Sequence, residues 1–285
     1  MLRSFRRLLP LLVLAASFTA ARADTQGFVP DDGVYHVYQN GQLLGDEHIT
    51  FEQHSDTLVV MSLVGQRLPR PGAVADTLFK SSTLVLGMRD HALRGYTSYE
   101  QLNGDALTRA LSMSDTTYTS YRQTSTGGFG DTFSRPPGRI YIVDPQVFVM
   151  FDVLCRDMHA QKFDERRITL LYVTARDTAV DGRVKRLGKG PIRLGGQTIA
   201  AEKFSITDPW SEFLVWVASD GRMLRLGLPA MGLRVDRDPE TLKPHAVRNV
   251  PAPHVGLPVV NIAEGKPAPA PARVSSDSLP PPPAR

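Results

Sequence analysis

The chain has 285 residues, 42% hydrophobic and 22% charged, with 33 Lys and Arg against 29 Asp and Glu and a formal net charge of +4. This composition excludes a collagen, a wholly disordered chain, a multi-pass membrane protein and, with Cys155 as the one cysteine, a disulfide-stapled miniprotein. The basic excess alone would favour a nucleic acid or a membrane surface, so its placement along the chain decides.

Residues 1–23 have the parts of a cleavable export signal: a basic start at Arg3, Arg6 and Arg7, a short apolar stretch from Leu8 to Ala16, and the small-x-small site Ala21-Arg22-Ala23 before Asp24. The apolar stretch is broken by Pro10 and falls short of the roughly 20 residues that span a bilayer. Cleavage is therefore expected, with no integral membrane segment left afterwards. No cysteine lies between Ser17 and Asp24, so the mature chain is expected to be free in the periplasm or secreted. Arg6-Arg7 leaves both the general secretory and the twin-arginine routes open. The segment holds four arginines and no acid, which leaves 29 basic and 29 acidic residues beyond it. A neutral chain lacks the cationic excess that tracks phosphates, so nucleic acid is not an expected partner.

Residues 24–250 read as a single β-rich domain. Alternating or β-branched runs at 33–39, 42–53, 57–65, 77–87, 92–102, 106–114, 116–124, 139–143, 167–175, 183–194, 197–207, 212–219 and 222–228 are spaced by turn dipeptides such as Asn40-Gly41, Asn103-Gly104 and Asp220-Gly221. The pattern predicts a mainly β fold: a curved antiparallel sheet, closed or half-open as a barrel. No unit recurs at a fixed period, which excludes a propeller or solenoid. A two-residue turn at Asn40-Gly41 sets Tyr38 against Leu43, Val37 against Leu44, His36 against Gly45 and Tyr35 against Asp46, with Gly45 marking a bulge or a close backbone approach. Gly127 to Gly130 lacks a following helix and is expected to be a flexible loop, not a phosphate cradle.

One helix is predicted around 145–159. Asp144-Pro145 supplies a cap and a first-turn proline, and Val147, Phe148, Phe151, Leu154, Cys155 and Met158 follow on one stripe. Asp152 and Arg156, four apart, pair on its flank, while Asp152/Asp157 and Asp164/Glu165 are expected as solvated charge. Such a helix, about 21–24 Å long, can plug a bent sheet. In the Asp220-Gly221 hairpin, Val217 faces Leu224, Val215 faces Leu226 and Phe213 faces Leu228 on an apolar side. The other side sets Trp216 beside Arg225, Ala218 beside Met223 and Leu214 beside Gly227. Trp216 and Arg225 are either an ordinary cation–aromatic contact or the start of a ligand site. With Phe148, Phe151 and Met158 of the helix stripe they form the candidate ligand-binding set.

Catalytic motifs are not found: the sequence has no HExxH, no paired CxxC, no GxSxG elbow and no dinucleotide or Walker glycine pattern. Cys155 and His159 share a helix spacing, but a thiol on an apolar stripe behaves as a small inert hydrophobe. His36 and His48 lie too far apart along paired strands to share a metal. No catalytic residue, metal or cofactor is expected. Residues 251–285 form a Pro/Ala-rich tail, and Pro244 to Arg285 holds 11 of the 22 prolines. Such a tract favours extended, unpaired chain, and Val255 to Ile262 could add a last edge segment.

Gly33-Val34-Tyr35-His36-Val37 with Asn40-Gly41 and Gly45, the passage from Asp144 to Val173, and Phe213 to Val217 with Asp220 to Leu224 together resemble a family of exported bacterial proteins of unknown function. That family is similar to a curved half-barrel carrying a helix, and distantly to LolA-type carriers and lipocalin-like binders. The resemblance implies an envelope location and an apolar ligand, and it brings no catalytic residues. Three functions follow: a non-enzymatic periplasmic carrier of a hydrophobic or lipid-like ligand, an envelope scaffold that reaches a protein partner through its tail, and a hydrolase whose site is assembled from distant loops. A cavity of roughly 300 Å³ or more on the concave face favours the first, and a solid interior the second.

Overall fold

In the computed structural model, which describes residues 30–242, the alternating runs become fifteen strands in one sheet. The strands are β1 Asp31–Gln39, β2 Gln42–Gln53, β3 Thr57–Leu68, β4 Asp76–Gly87, β5 Leu93–Leu102, β6 Asp105–Met113, β7 Thr117–Thr124, β8 Gly127–Ser134, β9 Ile140–Val143, β10 Glu165–Tyr172, β11 Thr178–Leu194, β12 Gln197–Thr207, β13 Glu212–Val217, β14 Met223–Leu228 and β15 Leu233–Arg237. Their lateral order runs β8 to β1 and then β15 down to β9, because β1 pairs antiparallel with β15. The sheet is curved and unclosed, with β8 and β9 at its two ends. The export signal and the tail read from the sequence lie outside the described residues.

Neighbours pair antiparallel except β9 and β10, which are parallel. A parallel pair needs a crossover, and α1, Val149–Gln161, supplies it. The helix begins four residues later than the Asp144-Pro145 signal predicts. Asp144 makes an isolated bridge with Val147 and commits its carboxylate to Lys80 and Tyr96, so it cannot cap the helix. At the other end Lys162 takes a left-handed conformation and returns its N–H to the Met158 carbonyl, 3.1 Å away.

Every residue of α1 from Val149 to Met158 is buried, polar flank included. The helix rests on β9, β13 and β14, with the Phe151 and Phe213 ring centroids 4.8 Å apart. Each apolar side chain fully withdrawn from water contributes on the order of 1.5–3 kcal/mol, so the stripe from Phe148 to Met158 is a principal part of the core. Asp152 and Asp157, expected as solvated charge, are instead enclosed. The helix is enclosed from Val149 to Met158 and reaches water only at its last turn, where His159 is half-buried and Ala160 and Gln161 are exposed.

Two of the sheet's register shifts fall in hairpins whose pairing the sequence predicts. In the β1–β2 pair the register shifts between Val37 and Tyr38, so Tyr38 faces Leu43 as expected but Val37 faces Gly45, His36 faces Asp46 and Tyr35 faces Glu47. A Cβ on Gly45 would lie 2.0 Å from the Gly65 carbonyl oxygen, which is the close backbone approach its sequence position suggested. Since strand faces alternate, this one-residue slip carries Glu47 opposite Tyr35 on the buried side. In the β13–β14 pair, Trp216 faces Arg225, Val215 faces Leu226 and Leu214 faces Gly227 as predicted. A shift beyond Trp216 puts Met223, not Leu224, opposite Val217.

Two strands were not legible. Gly127 to Gly130 belongs to β8 rather than to a flexible loop, paired in continuous register with β7. The side chain of Tyr121 closes over this segment, and a Cβ on Gly128 would meet its hydroxyl at 2.4 Å. Glycine here admits the aromatic ring, a tertiary contact that outweighs its low strand propensity. The second, β15, has only five residues and carries three charges, yet it joins β14 to β1. Apart from the main core, a smaller apolar cluster gathers Ile192, Leu194, Ala201, Ala218 and Leu224 with the half-buried Trp216.

Candidate functional site

The concave side of the sheet is where a curved β fold would hold a ligand, and here it holds α1 together with four buried carboxylates. Glu47 of β2 shares strand parity with Ile49 and Phe51, so the pleat aims it inward. It accepts hydrogen bonds from the first helix amides, Phe148 N–H at 2.9 Å and Val149 N–H at 3.1 Å, and from the Ser62 hydroxyl at 2.6 Å. A strand carboxylate thus does the work of an N-cap residue. Burial pushes its pKa up to about 7, against the opposing pull of Ser62 and the two amides.

Asp152 of α1 accepts from the Met223 backbone N–H at 2.8 Å, from Arg156 Nε at 3.3 Å and from Arg237 Nη1 at 3.4 Å. Arg237 also donates to both oxygens of Asp31 at 2.9 Å, and Arg156 reaches the same carboxylate. The Arg156 guanidinium stands 4.0 Å from the centre of the Phe51 ring. Burial pulls the Arg156 pKa down, but the carboxylates of Asp152 and Asp31 outweigh it and hold the residue charged. One turn on, Asp157 accepts from Tyr141 at 2.6 Å, lies 3.2 Å from His91 Nδ1 and pairs with Arg139 at 2.6 Å.

The fourth carboxylate, Asp144, meets the fully buried Lys80 of β4 and the Tyr96 hydroxyl of β5. Lys80 also donates to Glu100 at 2.9 Å and to the Pro145 carbonyl at 3.1 Å. Burial raises the Asp144 pKa, with Lys80 pulling the other way, and burial raises that of Tyr96. Alongside these charges, the register sets Ser62 beside Ser82, Ser82 beside Ser98, Ser98 beside Arg109 and Arg109 beside Arg122, a polar row across five strands. At its outer end Arg122 and Ser120 bond to Asp177 from the β10–β11 connection.

Each of these acids is matched to a cation, a hydroxyl or a backbone amide inside the fold. Chemically the set locks α1 and its flanking segments to the sheet, since breaking any one pair leaves a buried charge uncompensated. Cys155 is fully buried and burial pushes its thiol pKa up, so it packs as a hydrophobe. Among the described residues no group of three or more His, Cys, Asp and Glu is arranged to hold a metal ion, and no helix is long and apolar enough to cross a membrane.

The five candidate ligand contacts are divided between two faces. Phe148, Phe151 and Met158 are buried in the main core with Val215 and Val217. Trp216, one residue out of phase with those valines, points to the other face and joins the smaller cluster. There Lys203 Nζ lies 4.9 Å and the Arg225 guanidinium 6.0 Å from its rings, while Arg225 is itself paired with Asp236. Trp216 and Arg225 therefore meet as predicted, and the helix stripe does not join them. The surface has a hollow of about 210 Å³ lined by Asp90, Arg135, Arg139 and Ile140, and an open one of about 380 Å³ lined by Arg167, Asp181, Arg183 and Thr207. Neither is lined by Trp216 or the helix stripe.

Sequence reasoning did not single out Glu47, Lys80 or Arg237, and it gave Asp144 the part of a helix cap. Lys80 did carry a signal, because it sits in phase with Leu78, Ser82, Leu84 and Leu86 on the inward side of β4. Glu47 carried the same kind of signal in its phase with Ile49 and Phe51, but the bulge at Gly45 breaks the count from the Asn40-Gly41 turn, which set Asp46 and not Glu47 opposite Tyr35.

No family model and no curated protein matches this chain. Among solved structures it is similar to a β-barrel-like protein of the domain of unknown function DUF1849 from Brucella abortus, with a TM-score of 0.54 and 8% identity over 74% of this chain and 95% of that one. At that identity the likeness is one of fold alone: this chain's curved, unclosed sheet matches a β-barrel-like neighbour.

Proposed function

We infer that this chain is a non-enzymatic, exported binding module of the cell envelope that works through its surface. The observation that carries the reading is the position of α1: its apolar stripe and its charged flank together occupy the concave side, where a carrier would keep its cargo. A drug-sized or lipid-sized ligand needs a cavity of roughly 300 Å³ or more, and neither of the two hollows described, about 210 and 380 Å³, is lined by Trp216 or the helix stripe. Export rests on the signal pattern of residues 1–23, and the tail at 251–285 offers a second reach toward an envelope protein.

A carrier of a hydrophobic or lipid-like ligand is the second reading, and the sequence resemblance to LolA-type and lipocalin-like proteins belongs to it. What favours it is that α1 is one discrete element on an apolar wall that includes Phe213, Val215 and Leu226; displaced, it would leave an apolar seat. Native mass spectrometry of the chain purified from its host without detergent separates the two. Surface action predicts the bare polypeptide mass. Stoichiometric lipid would establish the carrier instead. Deleting residues 251–285 should abolish co-purification of a tail-dependent partner and leave the melting temperature unchanged.

A further inference from the structure

The two ends of the sheet are unequal. Strand β9 has four residues, all buried. Strand β8 has eight, all exposed, and among the described residues the sheet has no further neighbour beyond it. A strand in that position presents a row of free backbone N–H and C=O groups, which natural proteins protect with charged side chains (lysine above all), proline, bulges or a covering element. Residues 127–134 read GGFGDTFS and contain neither lysine nor proline, and the pairing with β7 runs without a bulge.

The side chains of β8 divide by face. Gly128, Gly130, Thr132 and Ser134 are small. On the other face Phe129, 58% exposed, is opposite Arg122, Asp131 is opposite Ser120, and Phe133, 37% exposed, is opposite Tyr118. The guanidinium of Arg122 lies 5.7 Å from the Phe129 ring, and Tyr118 stacks on Phe133 at 5.0 Å, so both rings are fixed from the β7 side and open on the free side. Between them Asp131 is the one charge of β8 and has no ion pair or side-chain hydrogen bond among the described residues.

We propose that the β8 edge is a strand-addition site for an extended segment of another protein, with a lysine or arginine at the position facing Asp131 and apolar residues two places before and after it. Backbone hydrogen bonds supply affinity, and the alternation apolar–basic–apolar against Phe129–Asp131–Phe133 supplies register. A second copy of this chain is a poor occupant. The antiparallel pairing that sets Phe129 against Phe133 also brings the two Asp131 carboxylates face to face, and like charges directly opposite are destabilising. This proposal deepens the surface-acting reading by naming a surface and the chemistry of its partner.

The test uses the whole purified chain and two synthetic extended peptides, each with a Val-Thr-X-Thr-Val centre in which X is Lys in one and Glu in the other. The lysine peptide should bind saturably, at least about tenfold more tightly than the glutamate peptide, and hydrogen exchange of the β8 amides should slow on binding. The Asp131→Lys variant should reverse the preference, and because Asp131 is an exposed side chain the variant keeps the fold. No saturable binding, equal affinity for the two peptides, or a preference that survives Asp131→Lys would overturn the proposal. Self-association of the chain through β8 would overturn it in favour of a second copy. A lipid found in the interior would refute the surface-acting reading and leave these peptide results unaltered.

Discussion

Replacing Glu47 by Gln removes the charge at the head of α1 while keeping the size of the side chain. In the folded protein burial lifts this carboxyl from its ordinary 4.5 to about 7, despite the Ser62 hydroxyl and the Val149 and Phe148 amides that favour the ionised form. An acid raised on folding contributes its full stability below its unfolded pKa. The contribution fades as pH climbs to the folded value, because the unfolded chain releases the proton first and the native carboxylate ionises at a desolvation cost. The window is therefore pH 4.5 to about 7, and at 1.36 kcal/mol per pKa unit the loss across it is about 3 kcal/mol. The Gln variant keeps one acceptor oxygen and leaves one helix amide without a partner, a pH-independent offset of about 1–3 kcal/mol. Urea unfolding of both proteins from pH 4 to 8 gives two stability curves, and their difference cancels the other titrating groups. The wild type's advantage should fall by about 3 kcal/mol as pH rises, so that it is lost or reversed near neutrality. Parallel curves would mean that Glu47 reaches water or ionises normally, and the burial argument for the helix cap would fail.

Lys80→Met leaves the buried Asp144 without its cation, while Glu100 keeps Arg109, and should cost about 3–5 kcal/mol by urea denaturation. Adding Asp144→Asn should recover part of that loss, and an equal loss in the single and double variants would refute the pairing. A thiol-specific chromophoric reagent should leave Cys155 untouched in the native chain and label it fully once urea unfolds α1, because the side chain is enclosed and its thiol pKa is raised by burial. Prompt labelling under native conditions would show that α1 leaves the sheet readily and would move the functional reading toward a carrier.

Local pattern determined more than composition did. The strands on either side of Asn40-Gly41 and Asn103-Gly104 were legible because period-two burial writes itself into the residue order. The two asparagines indeed take positive φ, 50° and 52°. The helix stripe from Val147 to Met158 was legible for the same kind of reason, at a period of 3.6. The pair of Trp216 and Arg225 followed from counting residues out from the Asp220-Gly221 turn. These are short-range relations, and a chain read by itself contains them. The opening charge excess was likewise resolved within the sequence, since the four arginines of residues 1–23 account for all of it.

What tertiary structure decided were relations between segments far apart in the chain. Glu47 meets the head of a helix about a hundred residues later. Lys80 meets Asp144, and Asp31 meets Arg237 across nearly the whole described chain. Whether Asp152 and Asp157 face water or a wall depends on the sheet that wraps α1, because the helix pattern places them on a polar flank in either case. Glycine-rich β8 is a strand because Tyr121 and the β7 ladder hold it as one. The sequence by itself determined a curved β fold with one amphipathic helix. Only the curving of the sheet around that helix decided that its polar flank is enclosed with its charges paired, since packing and charge compensation across long loops are set by three-dimensional neighbours and leave no periodic trace in the chain.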